Sequence, residues 1–131
     1  MNKNYKKRNQ IIFGDEDANL RGVDIRHFKS LDLKQLEDLI QNDFIELRER
    51  QNFSPSTAEF LEFMRKYPDV RAHGYAVSHE RDDYRVTLEG LQFRGDVSRA
   101  LLRDFKKLCR GAEGEPDSCV AKQDRLYAWW D

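Results

Sequence analysis

The amino-acid sequence predicts an α+β fold, with three helices mainly on one face of a small antiparallel sheet built from a hairpin and a C-terminal strand. Three observations lead there. Capping boxes at Asp32–Gln35 and Ser56–Glu59 each open a stretch whose apolar residues recur at helical spacing. Over residues 72–93 the pattern changes to alternation with a period of two, as in a half-covered antiparallel pair. A third helical stripe follows Gly95-Asp96, and the chain ends in an alternating aromatic run from Leu126 to Trp130.

In chain order, residues 1–10 carry Lys3, Lys6, Lys7 and Arg8 with little that is apolar beyond Tyr5. They read as a flexible basic tail, leaving residues 11–131 as a single α+β domain. Ala18–Gly22 and Val23–His27 then repeat one small-or-branched, polar, aliphatic, basic, variable pattern. The pattern resembles two units of the pentapeptide-repeat solenoid. A solenoid closes a core only over several stacked coils, so ten residues predict instead a short strand or extended lead-in.

Asp32 caps the first helix, and Leu33, Leu36, Ile40, Phe44 and Leu47 form its apolar stripe. Ile45 leaves that stripe, which points to a bend near Asn42-Asp43. The second helix runs from Ser56 to about Tyr67, where Pro68 stops it. Its broad arc of Phe60, Leu61, Phe63, Met64 and Tyr67 predicts packing on more than one side.

The hairpin strands are expected over 72–79 and 84–93, joined through Glu80–Asp83. Setting Val77 opposite Val86 puts Tyr75, Val77, Tyr84, Val86 and Leu88 on one face, under the helices. Gly74, Ala76, Ser78, Arg85, Thr87 and Glu89 then share an uncovered face. Gly90 marks a bulge, because Leu91 and Phe93 break the alternation there. Asp96 is the expected cap of the third helix, which buries Val97, Ala100, Leu101, Phe105 and Leu108 and ends at Gly111. Residues 112–123 read as a loop, and Leu126 to Trp130 as the last strand.

Composition narrows the functional classes. The 131 residues include eight Phe, five Tyr and two Trp, far from the aromatic-poor make-up of disordered chains. With 23 basic and 24 acidic side chains the net charge is −1, so global charge gives no reason to expect nucleic acid or a membrane surface. No run approaches the length of a membrane span, and no apolar leader follows the basic start. Two cysteines, Cys109 and Cys119, are too few for a disulfide framework. A soluble, cytoplasmic protein with reduced thiols is expected.

The chemical constellations are few. Arg99, Arg103, Lys106, Lys107 and Arg110 fall on one side of the third helix, a stripe that suits an anion or a partner and equally suits a solvated face. Asp104 lies inside the apolar arc and predicts a polar clamp to a Trp N–H, a Tyr hydroxyl or an Arg, or else an acid with a raised pKa. His73 and His79, with Glu80, Asp82 and Asp83 at the turn, are weak catalytic candidates, since nothing supplies a nucleophile or an oxyanion donor. The histidine and cysteine spacings do not match a structural zinc site, so no metal is expected. Walker, dinucleotide-binding and nucleophile-elbow patterns are missing, so no cofactor is expected either. Of Trp129 and Trp130, one is expected in the core and the other on an edge or a subunit partner. The sequence therefore favours a non-catalytic protein-binding or regulatory domain, its partner another protein or a second copy of the chain. Nucleic-acid or polyanion binding through the helix at 96–110 is the first alternative, and an enzyme using His79 with nearby carboxylates the second.

Overall fold

The computed structural model describes residues 1–18 and 24–131. Its elements run α1 (Tyr5–Phe13), β1 (Ile25–Leu31), α2 (Leu33–Gln41), α3 (Thr57–Lys66), β2 (Arg71–Val77), β3 (Val86–Arg94), α4 (Arg99–Gly111), β4 (Ser118–Ala121) and β5 (Arg125–Trp129). The strands form one antiparallel sheet in the order β1-β2-β3-β5-β4. This is the α+β class the sequence predicts, with one further helix and two further strands among the described residues. Half of the two-unit repeat, residues 19–23, lies outside the described residues, and β1 begins at Ile25, within the second unit.

The stretch expected as a flexible basic tail carries α1. Asn4 caps it and Gly14, at φ 69°, ends it in the left-handed conformation that glycine adopts without strain. Arg8 is fully buried. Its guanidinium donates to the Val77 carbonyl at 2.7 Å and to Asn9 Oδ1, and lies 4.6 Å from the centre of the Tyr84 ring. A buried charge with this many partners fastens α1 to the end of the hairpin.

The capping boxes of α2 and α3 form as the sequence predicts, with Asp32 and Gln35 bonded reciprocally, and Ser56 and Glu59 likewise. The first helix stops earlier than expected. Asn42 ends the helix by donating its backbone N–H and its side-chain amide to the Asp38 carbonyl, Asp43 takes a positive φ of 60°, and the chain turns instead of bending. Phe44 and Ile45 consequently both reach the core, while Leu47 is left exposed. Asp96 does not cap α4. Ser98 does, accepting from the Leu101 N–H at 3.0 Å, and the helix begins two residues later than expected, at Arg99. Residues 118–121, expected within a loop, form the edge strand β4.

The hairpin keeps the predicted register only over half its length. His73 pairs with Gly90, Ala72 with Leu91 and Arg71 with Gln92, as that register requires. Beyond a bulge at Glu89 the pairing shifts by one, so Gly74 meets Leu88, Tyr75 meets Thr87 and Ala76 meets Val86. Cross-strand partners share a face, so Val86 and Leu88 join the small residues of β2, not Tyr75. On β2 the covered face is therefore the one expected to be open, whereas on β3 Val86 and Leu88 are covered as expected. Ala72, Ala76, Val86, Leu88, Leu91, Leu126 and Ala128 form the sheet's half of the core, with Phe28 and Leu31 of β1.

All four helices lie against that face. Ile12, Leu36, Leu39, Phe60, Met64, Leu101 and Phe105 come from them into the same core. Small residues along β2 let large ones approach: a Cβ on Gly74 would stand 2.0 Å from the Thr87 carbonyl oxygen and 3.0 Å from the Phe28 ring. Trp130 closes the core at 2% exposure, edge-on to Phe60, with its indole N–H on the Gly114 carbonyl at 2.9 Å.

Candidate functional site

Among the described residues no helix packs on the opposite face of the sheet, which is lined by His27 of β1, His73 and Tyr75 of β2, Thr87, Glu89 and Gln92 of β3, and Tyr127 and Trp129 of β5. A shallow concavity of about 320 Å³ opens there, bounded by His27, Lys29, His73, Glu89, Tyr127 and Trp129.

The bulge at Glu89 builds this site. An extra residue on β3 sends Glu89 and Gly90 to the open side and returns Leu91 to the core. The Glu89 side chain is 8% exposed, accepts from Trp129 Nε1 at 3.1 Å and stands 3.6 Å from His27 Nδ1. Glu89 is the only carboxylate in any of the five strands. Gly90 supplies the neighbouring space: a Cβ there would lie 2.7 Å from the His73 ring and 1.8 Å from the Ala128 carbonyl oxygen. The His73 imidazole therefore lies across Gly90. It shares a hydrogen bond of 3.0 Å with the Ala128 carbonyl and stacks on Tyr127 at 5.1 Å, 8° from parallel. Burial lowers the His73 pKa, outweighing the two backbone carbonyls, of Ala128 and Leu91, that favour its cation. In the neutral ring, Nε2 donates to Ala128.

Next to this pair, Arg85 donates to the Tyr75 hydroxyl at 3.0 Å and to Thr87 Oγ1 at 3.2 Å, and Tyr75 donates to Gln51 at 3.2 Å. The Gln92 amide reaches across to the Lys29 carbonyl. Further along, Arg94 and Arg125 stand directly opposite each other on β3 and β5, with the Arg125 guanidinium 5.9 Å from the centre of the Tyr127 ring. Like charges facing each other across strands destabilise a sheet unless an anion lies between them.

The sequence-derived candidates are dispersed. His79 stacks on Tyr5 at 3.7 Å and lies 3.9 Å from Glu80. Asp83 is held by Arg81 at 2.8 Å and by Arg85 at 2.9 Å, which lowers its pKa, while Asp82 is exposed. Their loop, residues 78–85, lies beyond the strand ends, whereas His73 and Glu89 sit within the strands. Asp104 accepts from the Tyr67 hydroxyl at 2.5 Å and pairs with Lys66 at 2.8 Å and Arg103 at 3.3 Å. The Lys66 and Tyr67 bonds hold its carboxyl well below the usual range, so it is an ionised clamp and not a raised-pKa acid.

The five cations of α4 do gather. Arg99, Arg103, Lys106, Lys107 and Arg110 line a groove of about 560 Å³ with Leu102, and among the described residues only Arg103 has a carboxylate partner. Of the two tryptophans, Trp130 belongs to the core and so offers no contact surface, and Trp129 stands half-buried on the open face.

Glu89 and His27 are site residues that the sequence did not single out, and His73 joins them instead of His79. One signal was present: a lone acid followed by glycine inside a strand with no other carboxylate. No helix among the described residues is long and apolar enough to cross a membrane, and no group of three or more His, Cys, Asp or Glu among them is arranged to hold a metal ion. No protein-family model, no curated protein and no solved structure matches this chain.

Proposed function

We propose that the chain is a non-catalytic binding module that takes an acidic segment of a partner protein across the open face of its sheet, in the cytoplasm. The observation that carries this reading is a separation of charge. The chain as a whole has net charge −1. Its strands nevertheless hold Arg26, Lys29, Arg71, Arg94 and Arg125 against Glu89 alone. Arg26 is taken up by the Phe13 ring at 4.4 Å, and Glu89 is already engaged by Trp129. Arg94 and Arg125 remain as a facing pair with no carboxylate partner among the described residues, next to Tyr127. Guanidinium groups so placed match carboxylates bidentately, and a half-buried Trp129, four residues along β5 on the same face, offers an apolar anchor.

A protein segment suits the face better than a nucleic-acid strand. Base stacking needs free aromatic planes. Here the His73 and Tyr127 rings already stack on each other, and the Tyr75 ring is met edge-on by His27 at 5.9 Å.

The test is titration with a labelled peptide of alternating Glu and Leu, followed by anisotropy. Binding that weakens with salt and drops about tenfold or more in Arg94→Glu/Arg125→Glu supports the reading, since two charge-assisted contacts of roughly 1 kcal/mol or more are lost. Equal binding by the double variant would overturn it.

The groove along α4 favours a second reading, binding of a polyanion, because four of its five cations have no carboxylate partner among the described residues. Retention on heparin at low salt, abolished by Arg103→Glu/Lys106→Glu/Arg110→Glu, is its signature.

A further inference from the structure

Both cysteines of the chain meet on one groove. The groove, of about 650 Å³, runs between α4 and the edge strand β4, with Phe105, Lys106, Cys109 and Arg110 on one wall and Cys119 and Ala121 on the other. Sheet register explains the meeting. Cys119 pairs with Ala128, and Ala128 belongs to the covered face, so Cys119 points to the side of the sheet where α4 lies. Cys109 faces it from the inner side of α4, at 9% exposure, while Cys119 is exposed. Both are free thiols lining the same groove, and Cys119 is near enough to be among the groups that raise the Cys109 pKa.

We propose that Cys109 and Cys119 are a peroxide-responsive thiol pair that closes to an intramolecular disulfide, bolting α4 to the edge strand β4. The two thiols have distinct roles. Burial, reinforced by the neighbouring Cys119, pushes the Cys109 thiol up to about 12, so it stays protonated and does not attack first. The exposed Cys119 is the nucleophile. Its thiolate attacks the peroxide O–O bond, an S–O bond forms, and hydroxide leaves to give a sulfenic acid on Cys119. The Cys109 sulfur then attacks the Cys119 sulfur, an S–S bond forms, and the Cys109 proton leaves with the displaced hydroxide as water. Two thiols and one hydroperoxide thus give one disulfide, one water and one further water or alcohol. The sulfurs lose two electrons and the peroxide oxygens gain them.

Closure acts on the segment between the two cysteines. Gly114 there accepts the indole N–H of the buried Trp130 and donates its own N–H to the Phe53 carbonyl. A bond across its base ties β4 to the helix directly.

The experiment uses the full chain. Before oxidation, a thiol reagent should modify Cys119 under native conditions and Cys109 only after denaturation. After stoichiometric hydrogen peroxide, neither thiol should react, the chain should remain monomeric on a non-reducing gel, and peptide mapping should recover Cys109 linked to Cys119. Dithiothreitol should restore both thiols. In Cys119→Ser, an exposed change that the fold tolerates, Cys109 should stay unmodified by the same peroxide dose. The proposal is overturned if Cys119 proceeds to sulfinic acid while Cys109 remains a free thiol. It is equally overturned if the product is a dimer linked through Cys119, or if Cys109 oxidises at the same rate in Cys119→Ser.

Discussion

Stability should fall as the pH drops below about 6.5, and His73 should account for much of the fall. The ring is 8% exposed, lies across Gly90 and against Tyr127, and has backbone carbonyls of Ala128 and Leu91 at its edge with no carboxylate in hydrogen-bonding reach. Burial depresses its folded pKa below the unfolded value near 6.5. Between those two values the unfolded chain binds the extra proton, so stability rises with pH there and is complete above about 6.5. One group contributes at most about 1.4 kcal/mol per pH unit. From pH 6.5 to 5 the ceiling is about 2 kcal/mol, reached when the folded ring stays neutral throughout. At roughly 4 °C per kcal/mol for a chain of this size, that corresponds to a Tm shift of up to ~8 °C. The assay is thermal unfolding at pH 7.5, 6.5, 5.8 and 5.0 at fixed ionic strength, for the unmodified chain and for His73→Gln. The glutamine retains an amide N–H for Ala128 and does not titrate. The difference between the two curves removes the contributions of His27 and His79. Parallel pH profiles for the two proteins would refute the assignment.

Two further predictions concern the frame that carries the site. Trp130→Ala should cost about 3–5 kcal/mol in denaturant unfolding, because it empties a large core position and leaves the Gly114 carbonyl without its donor. Trp129→Ala should cost much less while weakening acidic-peptide binding, and the reverse ranking would exchange the roles of the two rings. Ser98→Ala should cost about 1 kcal/mol as the loss of the α4 cap. Asp96→Ala should stay within about 0.5 kcal/mol, and a larger loss there than at Ser98 would contradict the observed helix start.

Much of the fold was legible because local chemistry decides it. The capping boxes at Asp32 and Ser56, the stop at Pro68 and the existence of strand β2 are set by a few adjacent residues. What escaped depends on distant partners. Nothing near Arg8 in sequence announces that Val77 and Tyr84 will receive its guanidinium, so α1 reads as a solvated tail. Strand β4 is four residues long and polar, and only its pairing with β5 makes it a strand. Choosing Ser98 over Asp96 as the cap needs the path of the chain: the Gly95 and Val97 N–H groups bond to the carbonyls of Asp124 and Gln123, which holds Asp96 outside the helix. The hairpin is the instructive case. Gly90 correctly flagged a bulge, yet period-two reasoning cannot tell which side of a bulge keeps the register, and one residue decides which face meets the helices.

That single residue is where the fold and the site are joined. Strict alternation from Val86 would send Leu91 to the open face and Gly90 to the core, and β3 would lose an apolar contribution at the point where it pairs with Ala72 and Ala128. Placing an extra residue at Glu89 preserves Leu88 and Leu91 for the core and leaves two consecutive residues facing outward. Of these, the glycine makes room for the His73 ring, and the acid fixes the edge of Trp129. A carboxylate only 8% exposed, on a face with no helix over it, is costly unless its partners are fixed, and its partner here is a ring on the strand that bears Arg125. The same displacement that completes the core therefore orients the aromatic wall of the concavity and leaves the facing pair Arg94 and Arg125 as charge that nothing in the sheet neutralises.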